Sequence, residues 1–389
     1  MSYLLNDCAE YINEKVNINE LSINQYISTD NILQNKQGIE CAVALPLQGG
    51  NVTAFKKGDV LLANIRPYLK KIWYANFDGG CSADVLAIRA RENTHSQFLF
   101  YALFRDDFFV HAMKGAKGTK MPRGDKSQIM EFKIPKFDLP TQQAIASVLS
   151  ALDQKIAINN QINAQLEQMA KTLYDYWFVQ FDFPNENGKP YQSSGGEMVY
   201  NDTLKRHIPK DWEVKSLGEM ADLYQPQTLS EKDLISNGKY FVYGANGIIG
   251  KYNEYNHENP MIAVACRGNS CGVINITQPF SWITGNAMVV KPKSDYICID
   301  YLKYSLLNGN IEKTISGSAQ PQITRTNLAP LMFLQADEKI LRKFADKINS
   351  QFDLRIKNIQ QNQQLTQLRD FLLPMLMNGQ VSVLDVQAA

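Results

Sequence analysis

The chain has 389 residues, 44% apolar and 20% charged, which is ordinary globular composition with room for two or three domains. Lys and Arg number 40 against 39 acidic residues, a net charge of +1, so the chain is no polycation and any affinity for nucleic acid has to be local. The start MSYLLNDCAEYINEK has no basic segment leading into an apolar one, and no run approaches 18 apolar residues. A signal peptide and a membrane-spanning helix are therefore not expected. The cysteines, Cys8, Cys41, Cys81, Cys266, Cys271 and Cys298, form no CxxC pair. They read as reduced thiols of a cytoplasmic protein, and no metal site is expected.

In chain order, VLLANI within GDVLLANIRPYLKKIW (58–73) and VLAIRA near CSADVLAI (81–88) read as strands, and SQFLFYALFRDDFFVHAMK (96–114) as a helix. HAMKGAKGTKMPRGDKSQ (111–128) carries Lys114, Lys117, Lys120, Arg123 and Lys126 against the single acid Asp125. Its glycines at 115, 118 and 124 would let backbone approach a ligand. A solvated basic loop and a nucleic-acid contact both fit this stretch. Thr141 to Phe183 is then 43 residues without Gly or Pro, bounded by Pro140 and Pro184. Steps of four and three from Ile145 give Leu149, Leu152, Ile156, Asn159, Asn163, Leu166, Ala170 and Leu173, the spacing of a coiled-coil seam widened by Ile158, Ile162 and Met169. An amphipathic helix on a globular core is the plainer alternative. Length favours the coiled coil, since 43 helical residues reach roughly 60 Å.

FPNENGKPYQSSGGEMVYN (183–201) is turn-rich, and IPKDWEVKSLGEM (208–220) opens a second module. MIAVAC and AMVVKP read as strands and DYICIDYLKYSLLN (295–308) as a helix. The stretch 331–373 is again 43 residues without Gly or Pro, bounded by Pro330 and Pro374, with Ile348, Phe352, Ile356 and Ile359 on its seam. LDQKI (152–156) matches FDLRI (352–356) at an offset of 200. Arg66 falls opposite Arg267 at 201, CSADVLAI opposite ITGNAMVV (283–290) at about 202, and GTKMPR (118–123) opposite GSAQPQ (317–322) at 199. Four matches in chain order make an internal repeat of about 200 residues.

No phosphate-cradling glycine loop precedes a helix, YGANGIIG (243–250) included, and His111 and His257 have no nucleophile beside them. A chain with two similar modules and no catalytic constellation reads as a binder. Arg66, Tyr68, Lys70 and Lys71 in one module and Arg267 and Asn269 in the other form one matched pair of candidate DNA-contacting stretches. Lys114, Lys117, Lys120 and Arg123 against Gln320, Gln322, Thr324 and Arg325 form the second. Gln, Asn and Arg have the fork geometry that reads base edges in the major groove. Structural salt bridges remain an alternative for Arg66 and Arg267.

The segment LPTQQAIASVLSALDQKIAINNQINAQLEQMAKTLYDYWFVQFDF (139–183) resembles the central conserved region of the specificity subunits of type I restriction–modification systems. GKPYQSSGGEMVYNDTLKRHIPKDWEVKSLGEM (188–220) and LTQLRDFLLPMLMNGQV (365–381) resemble the lead-in to their second recognition domain and their distal region. The resemblance implies an α+β fold in which two target-recognition domains are separated by a pair of long antiparallel coiled-coil helices in pseudo-twofold symmetry. The corresponding division of this chain is 1–138, long helix 139–183, linker 184–207, 208–335, long helix 336–380 and tail 381–389. It also implies a non-catalytic subunit that reads a bipartite double-stranded DNA target. Two modification (adenine methyltransferase) subunits using S-adenosylmethionine, and restriction subunits using ATP and Mg, would be its partners. The helix pair would act as a spacer between two readers. A self-contained methyltransferase or nuclease and a coiled-coil adaptor without DNA are the other classes, opposed by the absent cofactor motifs and by the matched loops respectively.

Overall fold

The computed structural model describes residues 2–46, 49–245, 247–317 and 320–383. Of the expected tail 381–389, residues 384–389 therefore lie outside the described residues. The chain divides into two compact units, residues 1–158 with 361–389 and residues 159–360.

In unit 1 the strands are β1 (Ser2–Leu4), β2 (Ala9–Tyr11), β3 (Lys15–Asn17), β4 (Tyr26–Ile27), β5 (Asn51–Phe55), β6 (Val60–Ala63), β7 (Ile72–Tyr74), β8 (Gly79–Cys81), β9 (Val85–Ala90) and β10 (Lys133–Pro135). They form sheets ordered β2-β9-β6-β7 and β3-β5-β8-β4, with β1 beside β10. VLLA and VLAI are apolar at every position because both faces of their sheet are covered, one by the helical side of the unit and one by the second sheet. The helix expected over 96–114 is two, α1 (Ser96–Phe104) and α2 (Asp106–Lys114), broken where Arg105 turns extended at ψ 147°. Asp106 and Asp107 occupy the first turn of α2, where the helix dipole favours acids. A short α3 (Lys126–Met130) follows.

Unit 2 repeats the plan with β11 (Met198–Asn201), β12 (Arg206–Pro209), β13 (Glu213–Ser216), β14 (Ala221–Tyr224), β15 (Tyr240–Gly244), β16 (Gly247–Tyr252), β17 (Ile262–Ala265), β18 (Ile274–Ile276), β19 (Trp282–Ile283), β20 (Ala287–Pro292) and β21 (Met332–Gln335), and the helices α4 (Ile299–Asn308) and α5 (Arg325–Leu328). The order β14-β20-β17-β18 mirrors β2-β9-β6-β7. The central pair keeps its register: Val60 to Ala63 face Ile88 to Val85, and Ile262 to Ala265 face Val290 to Ala287. The expected repeat is thus present residue for residue in the sheet. Residues 183–212 are folded, with Phe183 stacked between Tyr191 and Trp212 at 4.6 and 4.7 Å.

Two long helices, Leu139–Tyr174 and Glu338–Met377, each contribute to both units. Each starts the same way. The Asp138 carboxylate accepts from Thr141 N–H at 3.1 Å, and that of Asp337 from Lys339 N–H at 2.6 Å. The first helix ends at Tyr174 rather than running to Phe183, and a π-helical turn over Asp175–Val179 turns Trp177 and Phe178 into the unit 2 core. The second continues one turn past Pro374, within the expected span 336–380. Pro374 forfeits one helical bond, and Leu372, Leu373, Leu376 and Met377 are buried in the unit 1 core.

Within each unit the two helices run antiparallel. Asp153 meets Arg369 in unit 1, and Asn163 meets Asn358 in unit 2. The seam differs from a uniform apolar stripe. Ile145, Leu149 and Ile348 are buried as module core, whereas Leu152, Ile156, Leu166, Leu173, Phe352, Ile356 and Ile359 are half-buried. The buried central positions are Asn159, Arg355 and Asn358. Asn163 donates to the Arg355 carbonyl and accepts from the Asn358 amide. Ile158 and Met169 do not widen the seam. They are 51% and 56% exposed, on outward faces.

Candidate nucleic-acid interface

In each unit two loops meet beside the end of the central strand pair. In unit 1 the Asn64 N–H donates to the Asp84 carbonyl (2.8 Å), Gly124 N–H to the Asn64 carbonyl (3.0 Å) and Arg66 N–H to the Pro122 carbonyl (2.7 Å). Lys117 and Arg123 exchange backbone bonds of 3.0 and 2.9 Å. Unit 2 repeats all of these: Cys266 N–H to the Asn286 carbonyl (3.1 Å), Ile323 N–H to Cys266 (3.0 Å), Gly268 N–H to Pro321 (3.0 Å), and Ser316 exchanging with Gln322. The backbone is one scaffold built twice, with Lys117 and Arg123 of the first replaced by Ser316 and Gln322 in the second.

This pairing corrects the sequence alignment at one point. Asn64 corresponds to Cys266, an offset of 202, so Arg267 takes the place of Ile65 and Arg66 that of Gly268. The Ile65–Arg123 and Arg267–Gln322 bridges say the same. The GTKMPR/GSAQPQ match has a physical basis. Gly118 and Gly317, with φ of +100° and +86°, make the same left-handed turn. The other two glycines serve the chain's own packing rather than a ligand. A Cβ on Gly115 would lie 1.4 Å from Gln128 Oε1, and one on Gly124 would lie 2.8 Å from Asn64 Oδ1.

The candidate side chains sort into two groups. Several are engaged within the protein. Arg123 pairs with Asp84, Lys117 with Asp125 at 3.6 Å, Lys70 with Asp106 at 2.9 Å, and Lys71 donates to the Thr29 carbonyl. Thr324 caps α5 through Asn327 N–H. Burial works against the Asp106 carboxylate, but the ammonium groups of Lys36 and Lys70 hold it below the usual carboxylate range. The Gln128 and Ser127 N–H groups and Lys117 do the same for Asp125, the cap of α3. Arg66 is half-buried at φ +51°, and its buried Nε has no hydrogen-bond partner. Tyr68, Lys114, Lys120, Arg267, Asn269, Gln320, Gln322 and Arg325 are exposed, which leaves them available to a ligand.

Sequence reading passed over Asp84 and Asp106, and took Asp125 only as the one acid of its basic stretch, not as a residue that holds this surface. Asp125 alone carried a local signal, since it stands immediately before a helix start. It also passed over Gln225, whose amide donates to the Gly285 carbonyl at 3.1 Å and lies 3.0 Å from Cys266 Sγ. His257, set aside earlier, is buried and satisfied. Its Nε2 accepts from the Tyr224 hydroxyl at 2.9 Å, and Nδ1 meets Asn256 Oδ1 at 2.6 Å.

A family model described as "Type I restriction modification DNA specificity domain" matches residues 6–168 and again residues 209–367. The chain belongs to this family. This type I specificity chain is similar to the type I restriction enzyme HindI specificity subunit of Haemophilus influenzae, at 24% identity over 97% of this chain and 99% of that protein. It is also similar to the MjaIX specificity subunit of Methanocaldococcus jannaschii, at 26% over 85% and 79%. The solved type I restriction–modification S subunit from M. genitalium superposes with a TM-score of 0.54 at 16% identity, covering 97% of this chain and 96% of that one, a likeness of fold. The tandem match and the repeated loop scaffold are two views of one duplication.

Proposed function

We propose that this chain is a non-catalytic DNA-reading subunit acting in the cytoplasm, each unit recognising one half-site of a bipartite double-stranded target. The observation that carries the reading is the loop scaffold built twice with different side chains. Lys120 suits guanine edges and phosphates, whereas Arg267, Gln320, Gln322 and Arg325 suit adenine and guanine edges. Identical backbones with divergent residues are what two independent readers require. The exposed apolar residues on the long helices support partner docking: Ile158, Leu368 and Phe371 in unit 1, and Met169 and Leu354 in unit 2. Two modification subunits, which would supply S-adenosylmethionine chemistry, and ATP-dependent restriction subunits are the partners that fit an internally repeated chain.

The test is methylome mapping of cells carrying the chain with its modification partner. Ala at Gln320, Gln322 or Arg267 is expected to relax one half-site only, and Ala at Lys120 the other. Equal weakening of both halves by either set would overturn the assignment of one reader per unit.

A further inference from the structure

Beyond the two loops repeated in both units, unit 2 holds a third segment against its reading surface. β14 ends at Tyr224 and β15 begins at Tyr240, and the intervening chain starts Gln225-Pro226-Gln227-Thr228. Two anchors fix it. The Gln225 amide donates to the Gly285 carbonyl and touches Cys266 Sγ, next to Arg267. Beyond Gln227 the chain packs onto the same turn. A Cβ on Gly285 would lie 2.7 Å from Thr228 Oγ1 and 3.0 Å from the Pro226 carbonyl, so the approach is possible only because residue 285 is glycine. The neighbour of Gly285, Asn286, accepts the Cys266 N–H that sets the Arg267 turn.

Between these anchors Gln227 is exposed, and among the described residues its side chain has no hydrogen-bond partner. Pro226 before it has a fixed φ, which lowers the backbone entropy lost when this stretch engages a ligand. In unit 1 the equivalent chain does something else. Ile12 takes the place of Tyr224 and Lys15 that of Gln227, and Lys15 already lies in β3, its ammonium donating to Thr53 Oγ1 at 3.1 Å. The counterpart side chain is thus held by its own strand pair. The extra element therefore belongs to unit 2 alone.

We infer that Gln227 is a third base-reading residue of unit 2, directed at an adenine edge, and that Gln225 is a positioning residue that holds it beside Arg267. This rests on the proposed reading of the chain as a DNA-specificity subunit. A carboxamide can donate to adenine N7 and accept from adenine N6, and a carboxylate at the same place would instead accept from cytosine N4.

The experiment is selection from a duplex library randomised in both half-sites, using the full chain assembled with its modification subunits. Gln227→Ala is expected to lower discrimination by about tenfold or more at a single A·T pair in the unit 2 half-site, leaving the other half-site and non-specific affinity nearly unchanged. Gln227→Glu is expected to move the preference there toward cytosine. Gln225→Ala is expected to relax the same position, with partial recovery by Gln225→Asn. Unaltered preferences in Gln227→Ala, relaxation at a G·C pair, or a uniform loss of affinity across all sequences would overturn the inference. If the unsubstituted complex selects no sequence at all, the underlying reading fails instead.

Discussion

Replacing Arg355 by Ala should destabilise unit 2 by about 3–5 kcal/mol, the range for removing one partner of a buried ion pair. The guanidinium, 7% exposed, pairs with the Asp300 carboxylate, 1% exposed, and with Glu167 at 2.9 Å. Glu167 is 45% exposed and also has Lys303, so most of the loss falls on Asp300, which is left charged and dry. For a unit of this size each kcal/mol lowers the melting temperature by about 2–4 °C, so the shift should be about 6–20 °C. Tryptophan fluorescence isolates the event, because Trp177, Trp212 and Trp282 lie in unit 2 and Trp73 in unit 1. The pair is itself imperfect, since Asp300 Oδ1 and Arg355 Nε have no hydrogen-bond partner. Arg355→Met combined with Asp300→Leu should therefore recover most of the loss, as apolar replacement of a buried pair often does. A single variant losing less than about 1 kcal/mol would mean that Asp300 reaches water. A double variant as unstable as the single would mean that shape, not charge, matters there.

Burial first, and the charge of Lys291 second, lower the pKa of His257 below its ordinary value. Folding thus favours the neutral ring. Its contribution is complete above the unfolded value of about 6.5 and is lost as pH falls from there toward the folded value. Unit 2 should melt progressively earlier in that window, and His257→Gln should flatten the trend; an unchanged pH profile in the variant would clear His257 of the effect. Lys120, exposed and without an ion-pair partner among the described residues, should on replacement by Ala reduce the slope of DNA affinity against salt by about one unit. Lys117, tied to Asp125, should reduce it by less, and equal slopes for wild type and both variants would remove this loop from the interface. Insertion of four residues near Asn160 and four near Gln360 extends both long helices by about 6 Å. With the bases read at each end unchanged, the gap in the methylated target should lengthen by one or two base pairs; an unchanged gap in an active complex would show that helix length does not set the spacing.

The sequence by itself determined the parts that follow from local pattern. Strands such as Val60–Ala63 and Ala287–Pro292 were legible as short apolar runs, and the long helices as stretches free of Gly and Pro. The duplication was legible because the paired turns at Gly118 and Gly317 need the same backbone. Tertiary structure decided the rest. Nothing local says that Arg105 breaks a helix, or that Ile158 faces outward while Asn159 is buried, because burial depends on what packs against each face. The one-residue error that set Arg66 opposite Arg267 has the same origin, since only hydrogen bonds between distant segments pair Asn64 with Cys266. The division of Lys117, Lys70 and Arg123 from Lys120, Arg267 and Gln322 was equally hidden. A charged side chain reads the same in sequence whether an acid elsewhere in the fold neutralises it or it stands ready for a ligand.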